Sequence, residues 1–311
     1  MPEITEIILT SQYVLAQIKN HLITKITILG GRYSKSDDGI EGLDDISDKF
    51  PLIVTDINSK GKFMWFITKP KKNLQDTVFI LNTFGLSGEW GFTKEDHSNI
   101  EFNIQNPNTN QIRYLYYTDP RNFGTIKITS SLTELDKKLK SMGPDLLKTP
   151  FTEDDFYERV AKFIHRSKNN KNVLIVKVLM DQTKNALGSG LGNYLVPEIL
   201  YRAKISPRRK IGELSVNDIH VLSQTIKYVL KLSYMHNKTG YMTGFGNWID
   251  QHYTMVENGE LPNYYPDIVI DKTTKFDFYV YRKKTDPNGN KVVPDIIINN
   301  RTTYWVPTVQ L

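Results

Sequence analysis

There is no cysteine among the 311 residues. Disulfides, thiolate metal sites and cysteine nucleophiles are therefore excluded. The six histidines, His21, His97, His165, His220, His236 and His252, are scattered without metal-ligand spacing and read as structural or surface residues, so no metal is expected. No apolar run approaches the length of a membrane span, because "VLIVKVLM" is cut by Lys177. The first residues lack the basic-then-apolar order of a secretory signal. The sequons at Asn237 and Asn300 then read as chance matches, and an intracellular, reducing compartment without secretion is expected.

What is present is ordinary in bulk and uneven in detail. A length of 311 residues suggests two domains, and 39% hydrophobic with 24% charged residues suits folded cores. The net charge of +6 is compatible with a polyanionic partner without requiring one. "YRAKISPRRK" (201–210) holds five cations and no acid, and is equally readable as a solvated face or a binding strip. "SKSDDGIEGLDDISDK" (34–49) reads as an acidic loop.

Apolar spacing predicts a helix over 6–22. Seven β-rich runs follow from "TKITILGGRY" to "GTIKIT" (24–129), about a dozen residues apart, which predicts an antiparallel sandwich or barrel. "SSLTEL" starts a helical stretch, and "MGPDLLKTPFTEDD" reads as a joint. From 152 to about 234 the pattern is helical, with Thr152 as N-cap before an acidic first turn. After a Gly- and Asn-containing connection, "YVYRKK", "KVVPDIII" and "RTTYWVP" predict a small β-module.

"GSGLGN" (188–193) lacks the third glycine of a dinucleotide fingerprint and the lysine of a P-loop. Between helices it makes a tight turn that can expose helix-terminal N–H groups, a geometry that binds phosphate. Its setting, "DQTKNALGSGLGNYLVPEILYRAKISPRRKIGELS" (181–215), closely resembles the helix-two-turn-helix segment of the formamidopyrimidine-DNA glycosylase/endonuclease VIII (Fpg/Nei) family. "MPE..E" at the start, "GKF" (61–63), "FGLSG" (84–88), "DPRNFG" (119–124), "GPDLL" (143–147) and "RTTYWVPTVQ" (301–310) fall in that family's order. One departure is that Val306 and Val309 stand where the family's second Cys pair would hold zinc. That change resembles the zincless-finger, Nei-like branch, and "DFYVYRKKTDPNGNKV" looks especially like a giant-virus Nei. Such a finger must be ordered by β pairing and by aromatics such as Tyr279, Tyr281, Tyr304 and Trp305.

The resemblance implies a mixed α and β, multi-domain fold. It comprises an N-terminal helix and antiparallel β-sandwich (1–135), a linker and helix-two-turn-helix domain (136–275), and a zincless finger (276–311). It also implies a bifunctional DNA glycosylase/AP lyase of base excision repair. Pro2 would be the nucleophile once Met1 is removed. A terminal amine suits this chemistry: with a pKa near 7.7–8 roughly a tenth is neutral at pH 7, against less than about a thousandth of a lysine. A proline iminium has no N–H to lose and stays an electron sink for elimination.

By the same resemblance Glu3 is the acid and proton shuttle, which could equally be a helix-start carboxylate. Lys62 contacts phosphate and assists catalysis, and Glu6 supports them. Asn193 and Arg301 grip phosphates with Lys62. Leu86, Arg121 and Phe123 fill the void left by a flipped base, although Leu86 and Phe123 also read as core. Oxidised pyrimidines are the expected lesions, with ring-opened purines and hydantoins beside them. Cleavage would proceed by β,δ-elimination. The partner is damaged DNA, with no cofactor and no membrane, and the protein is a monomer at the nucleus or the site of DNA replication. Two other readings stay open: a non-catalytic damaged-DNA binder on this scaffold, and an RNA-binding protein, which would not need the N-terminal Pro-Glu.

Overall fold

The computed structural model describes residues 2–35, 39–237, 243–298 and 301–311. The chain folds into two compact units. The first takes Pro2, Glu6–Leu139 and a returning segment that ends at Trp248; the second takes Glu3–Thr5, the chain from Lys140, and Ile249–Leu311.

The N-terminal helix α1 (Ile4–Ile18) buries Ile7, Ile8, Val14 and Ile18. It stops short of the predicted end because Asn20 takes a left-handed φ of 64°, turning the chain into β1 (Leu22–Ile28). The strands β2 (Leu52–Lys60), β3 (Phe63–Pro70), β4 (Val78–Thr83), β5 (Glu89–Gly91), β6 (Ser98–Gln105), β7 (Ile112–Thr118) and β8 (Thr125–Thr129) complete one antiparallel sheet. Its order is β5-β7-β6-β1-β2-β3-β4-β8. The two halves of this sheet face each other. Phe66 of β3 packs its ring 5.2 Å from Trp90 of β5 and 5.9 Å from Phe102 of β6, strands that are not its neighbours. Trp90 closes the layer by donating its indole N–H to Asn82 of β4 at 3.0 Å. The expected sandwich is present. Only the three-residue β5 escaped the sequence pattern, and "GGRY" leaves the first predicted strand as a short 3₁₀ turn, Gly31–Ser34. The helix α2 (Leu132–Lys140) ends the unit.

In the second unit, α3 (Glu153–His165) opens with the expected Thr152 cap, which forms a reciprocal capping box with Asp155. It is followed by α4 (Ile175–Met180), α5 (Leu195–Arg202), α6 (Val216–Met235) and α7 (Asn247–Glu257). The helix α7 lies where the sequence predicted a plain connection. Its buried face is carried by His252 and Val256, so a polar residue interrupts the apolar stripe that would have marked it. "GPDLL" is packed rather than loose: Leu146 and Leu147 are buried, and Asp145 accepts the amides of Leu147 and Lys148 at 2.9 and 2.7 Å.

Burial lowers the pKa of His252 to about 4, with His236 adding to the shift. The folded protein therefore excludes a proton that the unfolded chain accepts below pH 6.5. This stabilisation is complete above pH 6.5 and is lost as pH falls toward 4, by up to about 3 kcal/mol at about 1.4 kcal/mol per unit. Denaturant titrations at pH 7 and pH 5 are expected to show His252→Leu losing less stability than wild type between them; equal losses would refute this.

The tail forms the hairpin β9 (Val293–Ile298) and β10 (Arg301–Trp305). The turn predicted at Asn299 and Asn300 lies outside the described residues. "YVYRKK" is not the strand predicted from its alternation, because its amides are engaged elsewhere, as described below. Val306 is fully buried with Tyr201, Val280 and Val292, and Val309 and Tyr304 pack against them. An apolar cluster thus occupies the place where cysteines would fall.

Four of the five cations of the basic run 201–210 form ion pairs within the second unit. Arg202 meets Glu198 at 2.6 Å, Arg208 meets Asp295 at 2.5 Å, Arg209 meets Asp218 at 2.9 Å and Lys210 meets Glu213 at 3.8 Å. Asn237, the acceptor residue of the first sequon, is 2% exposed; Asn300 lies outside the described residues. Among the described residues no helix is long and apolar enough to cross a membrane, and no cluster of three acidic or imidazole groups could hold a metal.

Candidate active site

The N-terminal segment is built into the second unit through Glu3. Its carboxylate is fully buried and accepts the amides of Tyr194 at 2.9 Å and Leu195 at 3.3 Å, the first N–H groups of α5. Ile4 N–H donates to the Gly190 carbonyl at 3.0 Å. Gly190, at φ 114°, must lack a side chain: a Cβ there would lie 2.5 Å from that of Ile4. Thr5 continues the contact, its hydroxyl lying 3.2 Å from Tyr194 Oη and 3.0 Å from Ser233 Oγ. The turn "GSGLGN" therefore does present helix-terminal amides, but to a protein carboxylate. Two of the amides that could have met a phosphate at this terminus are satisfied by Glu3.

Asn193 sits one residue before those amides and is half-buried. Its Oδ1 is buried and accepts no hydrogen bond among the described residues, while its amide NH₂ lies against the Tyr281 phenol. Burial raises the pKa of that phenol and Glu3 adds to the rise, while Arg282 and the Asn193 amide oppose it. Arg301 opens β10 and is exposed.

In the first unit Pro2 and Glu6 are buried, Glu6 in the first turn of α1. Lys62 is half-buried in the two-residue turn joining β2 and β3, where Gly61 takes the φ of 53° the turn needs. Neighbouring Lys60 is committed to structure through the Leu139 carbonyl at 2.8 Å.

The motifs "FGLSG" and "DPRNFG" form one platform in this unit. Asp119, 1% exposed, accepts Ser87 Oγ at 2.5 Å and Arg121 N–H at 3.3 Å on one oxygen, and Gly124 N–H at 2.7 Å on the other. Gly85 and Gly124 permit this approach, since a Cβ on Gly85 would lie 2.6 Å from Gly124 N. Asn122, at φ 56°, is held by Asn99 at 3.1 Å. The result pushes Arg121 and Phe123 outward; Phe123 is 60% exposed and Leu86 half-buried. Phe123 is thus not a core side chain, while Leu86 is partly covered. Asp119→Ala is expected to lower unfolding free energy by roughly 2–3 kcal/mol, because it strands a buried amide and frees both loops. Chemical denaturation measures this, and an unchanged midpoint would sink the platform.

Asp119 was visible in the sequence only as part of a motif, and Glu198, fully buried in α5, carried no signal of its own.

The formamidopyrimidine-DNA glycosylase N-terminal domain matches residues 1–126, its H2TH domain residues 142–248 and its C-terminal domain residues 266–311. A formamidopyrimidine-DNA glycosylase of Wolbachia pipientis wMel is 26% identical over the full length of both chains. The Arabidopsis thaliana protein of that name is 32% identical over 117 residues, 38% of this chain and 27% of that one. The wild-type Lactococcus lactis enzyme, solved with DNA containing an oxidised pyrimidine, superposes with a TM-score of 0.72 at 20% identity, covering 99% of each chain. The architecture is thus that of the helix-two-turn-helix DNA glycosylases. With its three domains matched in series, the chain belongs to the formamidopyrimidine-DNA glycosylase family, the DNA-binding glycosylases and AP lyases of base excision repair.

Proposed function

We propose that this protein is a bifunctional DNA glycosylase/AP lyase of the zincless-finger, Nei-like branch, similar to a giant-virus Nei and acting as a monomer. Its substrates are oxidised pyrimidines, with ring-opened purines and hydantoins beside them. Pro2, freed as a secondary amine by loss of Met1, attacks C1′ of the damaged nucleotide and displaces the base. Glu3 supplies a proton as the sugar ring opens, and the cationic iminium then acts as electron sink while the 3′ and 5′ phosphates leave in turn. Lys62, Asn193 and Arg301 hold phosphates, with Glu6 in support. Leu86, Arg121 and Phe123 fill the space the extruded base leaves, Phe123 by stacking and Arg121 by meeting the orphaned base.

The observation that carries this reading is the seating of Glu3. A fully buried carboxylate held by two helix-terminal amides, next to Asn193 and one position after Pro2 in the sequence, is fixed in place, which supports a proton-transfer role. The zinc-free branch is supported by Val306 and Val309 in the apolar cluster of the finger.

Borohydride trapping on DNA with an abasic site or thymine glycol, with mass determination of the N-terminus, tests it. A covalent adduct at Pro2 on protein lacking Met1 is expected. DNA binding with no adduct from such protein would mean a damaged-DNA binder.

A further inference from the structure

We propose that Glu198 is a positioning residue that sets the two phosphate-gripping groups of the second unit, Asn193 and Arg301, relative to each other. This rests on their role as phosphate ligands proposed above.

Glu198 is the fourth residue of α5 and is fully buried. Its Oε1 accepts three successive backbone amides, Tyr279 at 3.0 Å, Val280 at 2.9 Å and Tyr281 at 2.9 Å. Its Oε2 accepts Tyr279 N–H at 2.9 Å and the Arg202 guanidinium at 2.6 Å. Three consecutive N–H groups turned inward form a concave anion site, and here the anion is a side chain. Arg202 closes the arrangement from the other side, its guanidinium carbon 3.9 Å from the centroid of the Tyr279 ring. A surface helix acid needs none of this, and a purely apolar contact could have anchored the finger with less desolvation.

The held segment has partners in both directions. Tyr281 lies beside the Asn193 amide, and its ring packs 5.5 Å from Tyr304 at 76°. Tyr304 is on β10, three residues after Arg301. The helix that bears Glu198 begins two residues after Asn193. One carboxylate thereby references the Arg301 strand and the Asn193 turn to a single short helix. A rigid spacing matters because two donors gripping neighbouring phosphates contribute together only when their separation matches the backbone.

Glu198→Gln tests the assignment. An amide keeps the size but places an NH₂ where Oε2 now faces two donors, so the segment 279–281 loses its register. On an abasic-site duplex, Arg301→Ala alone is expected to raise Kd about tenfold, and Glu198→Gln alone by a similar factor. Arg301→Ala added to Glu198→Gln should cost less than about threefold, because the guanidinium is already misplaced. A purely structural role would lower thermal stability and leave the two effects multiplicative, which would overturn the proposal. Arg202→Met, which removes the counter-charge but not the acceptor, should show the same coupling in weaker form. It carries the test if Glu198→Gln does not fold, and multiplicative behaviour there overturns the proposal equally. If Arg301→Ala leaves wild-type binding unchanged, the phosphate-grip reading fails first and takes this one with it. Trapping at Pro2 is independent of either result and reports on the catalytic reading alone.

Discussion

Protein whose Pro2 nitrogen is an amide, through retained Met1 or an N-terminal extension, is expected to form no borohydride-trapped adduct with abasic DNA. Strand cleavage should fall on the order of 10³-fold or more, as when an enzyme loses its nucleophile. The reason is electronic: an amide nitrogen has delocalised its lone pair and cannot attack C1′. Pro2→Gly is the informative companion. It restores a terminal amine of similar basicity, but as a primary amine whose imine can lose its proton and with it the electron-sink character. Partial trapping with slowed elimination is expected from it, read by comparing adduct yield with strand scission over time. Full activity from the extended protein would discard the Pro2 mechanism outright.

Glu3→Gln should be the second large effect, and it separates two roles of one carboxylate. General acid–base catalysis typically contributes 10²- to 10⁴-fold, so on the proposed proton-donor role single-turnover base excision should fall by about that range. As the acceptor for Tyr194 and Leu195 amides it is also the N-terminal cap of α5. A glutamine oxygen can keep one of those bonds, so the stability loss should be about 1 kcal/mol. Excision rates and denaturation curves on the same preparation distinguish them. Near-complete loss of excision in a protein only slightly less stable supports the catalytic role. Excision that stays within a few-fold of wild type would leave Glu3 a cap only.

Much of the architecture was legible because it is local. The β runs from 24 to 129, the Thr152 cap and the closing hairpin follow from period-two alternation, a hydroxyl before an acidic turn, and a break between apolar runs. These depend on residues a few positions apart, so a linear reading reaches them. The motifs "FGLSG" and "DPRNFG" were visible too, but not that Asp119 stitches them into one platform.

What the linear reading missed or misassigned involved partners far along the chain. The ion pairs of the basic run 201–210 were not visible in the sequence, since Arg208 meets Asp295, 87 residues later. "YVYRKK" alternates as a strand should, yet its amides go to Glu198, 81 to 83 residues earlier, because a buried carboxylate accepts them more strongly than an unpaired strand edge would.

By itself, then, the sequence determined the family resemblance, most of the helical and β regions and the absence of cysteine ligands. Tertiary structure alone decided which amides Glu3 and Glu198 take, that Phe123 faces outward, and that His252 is buried in α7. Chain-local periodicity is set by backbone geometry over a few residues. A buried charge finds its partners only when distant segments close around it and no water remains to satisfy them.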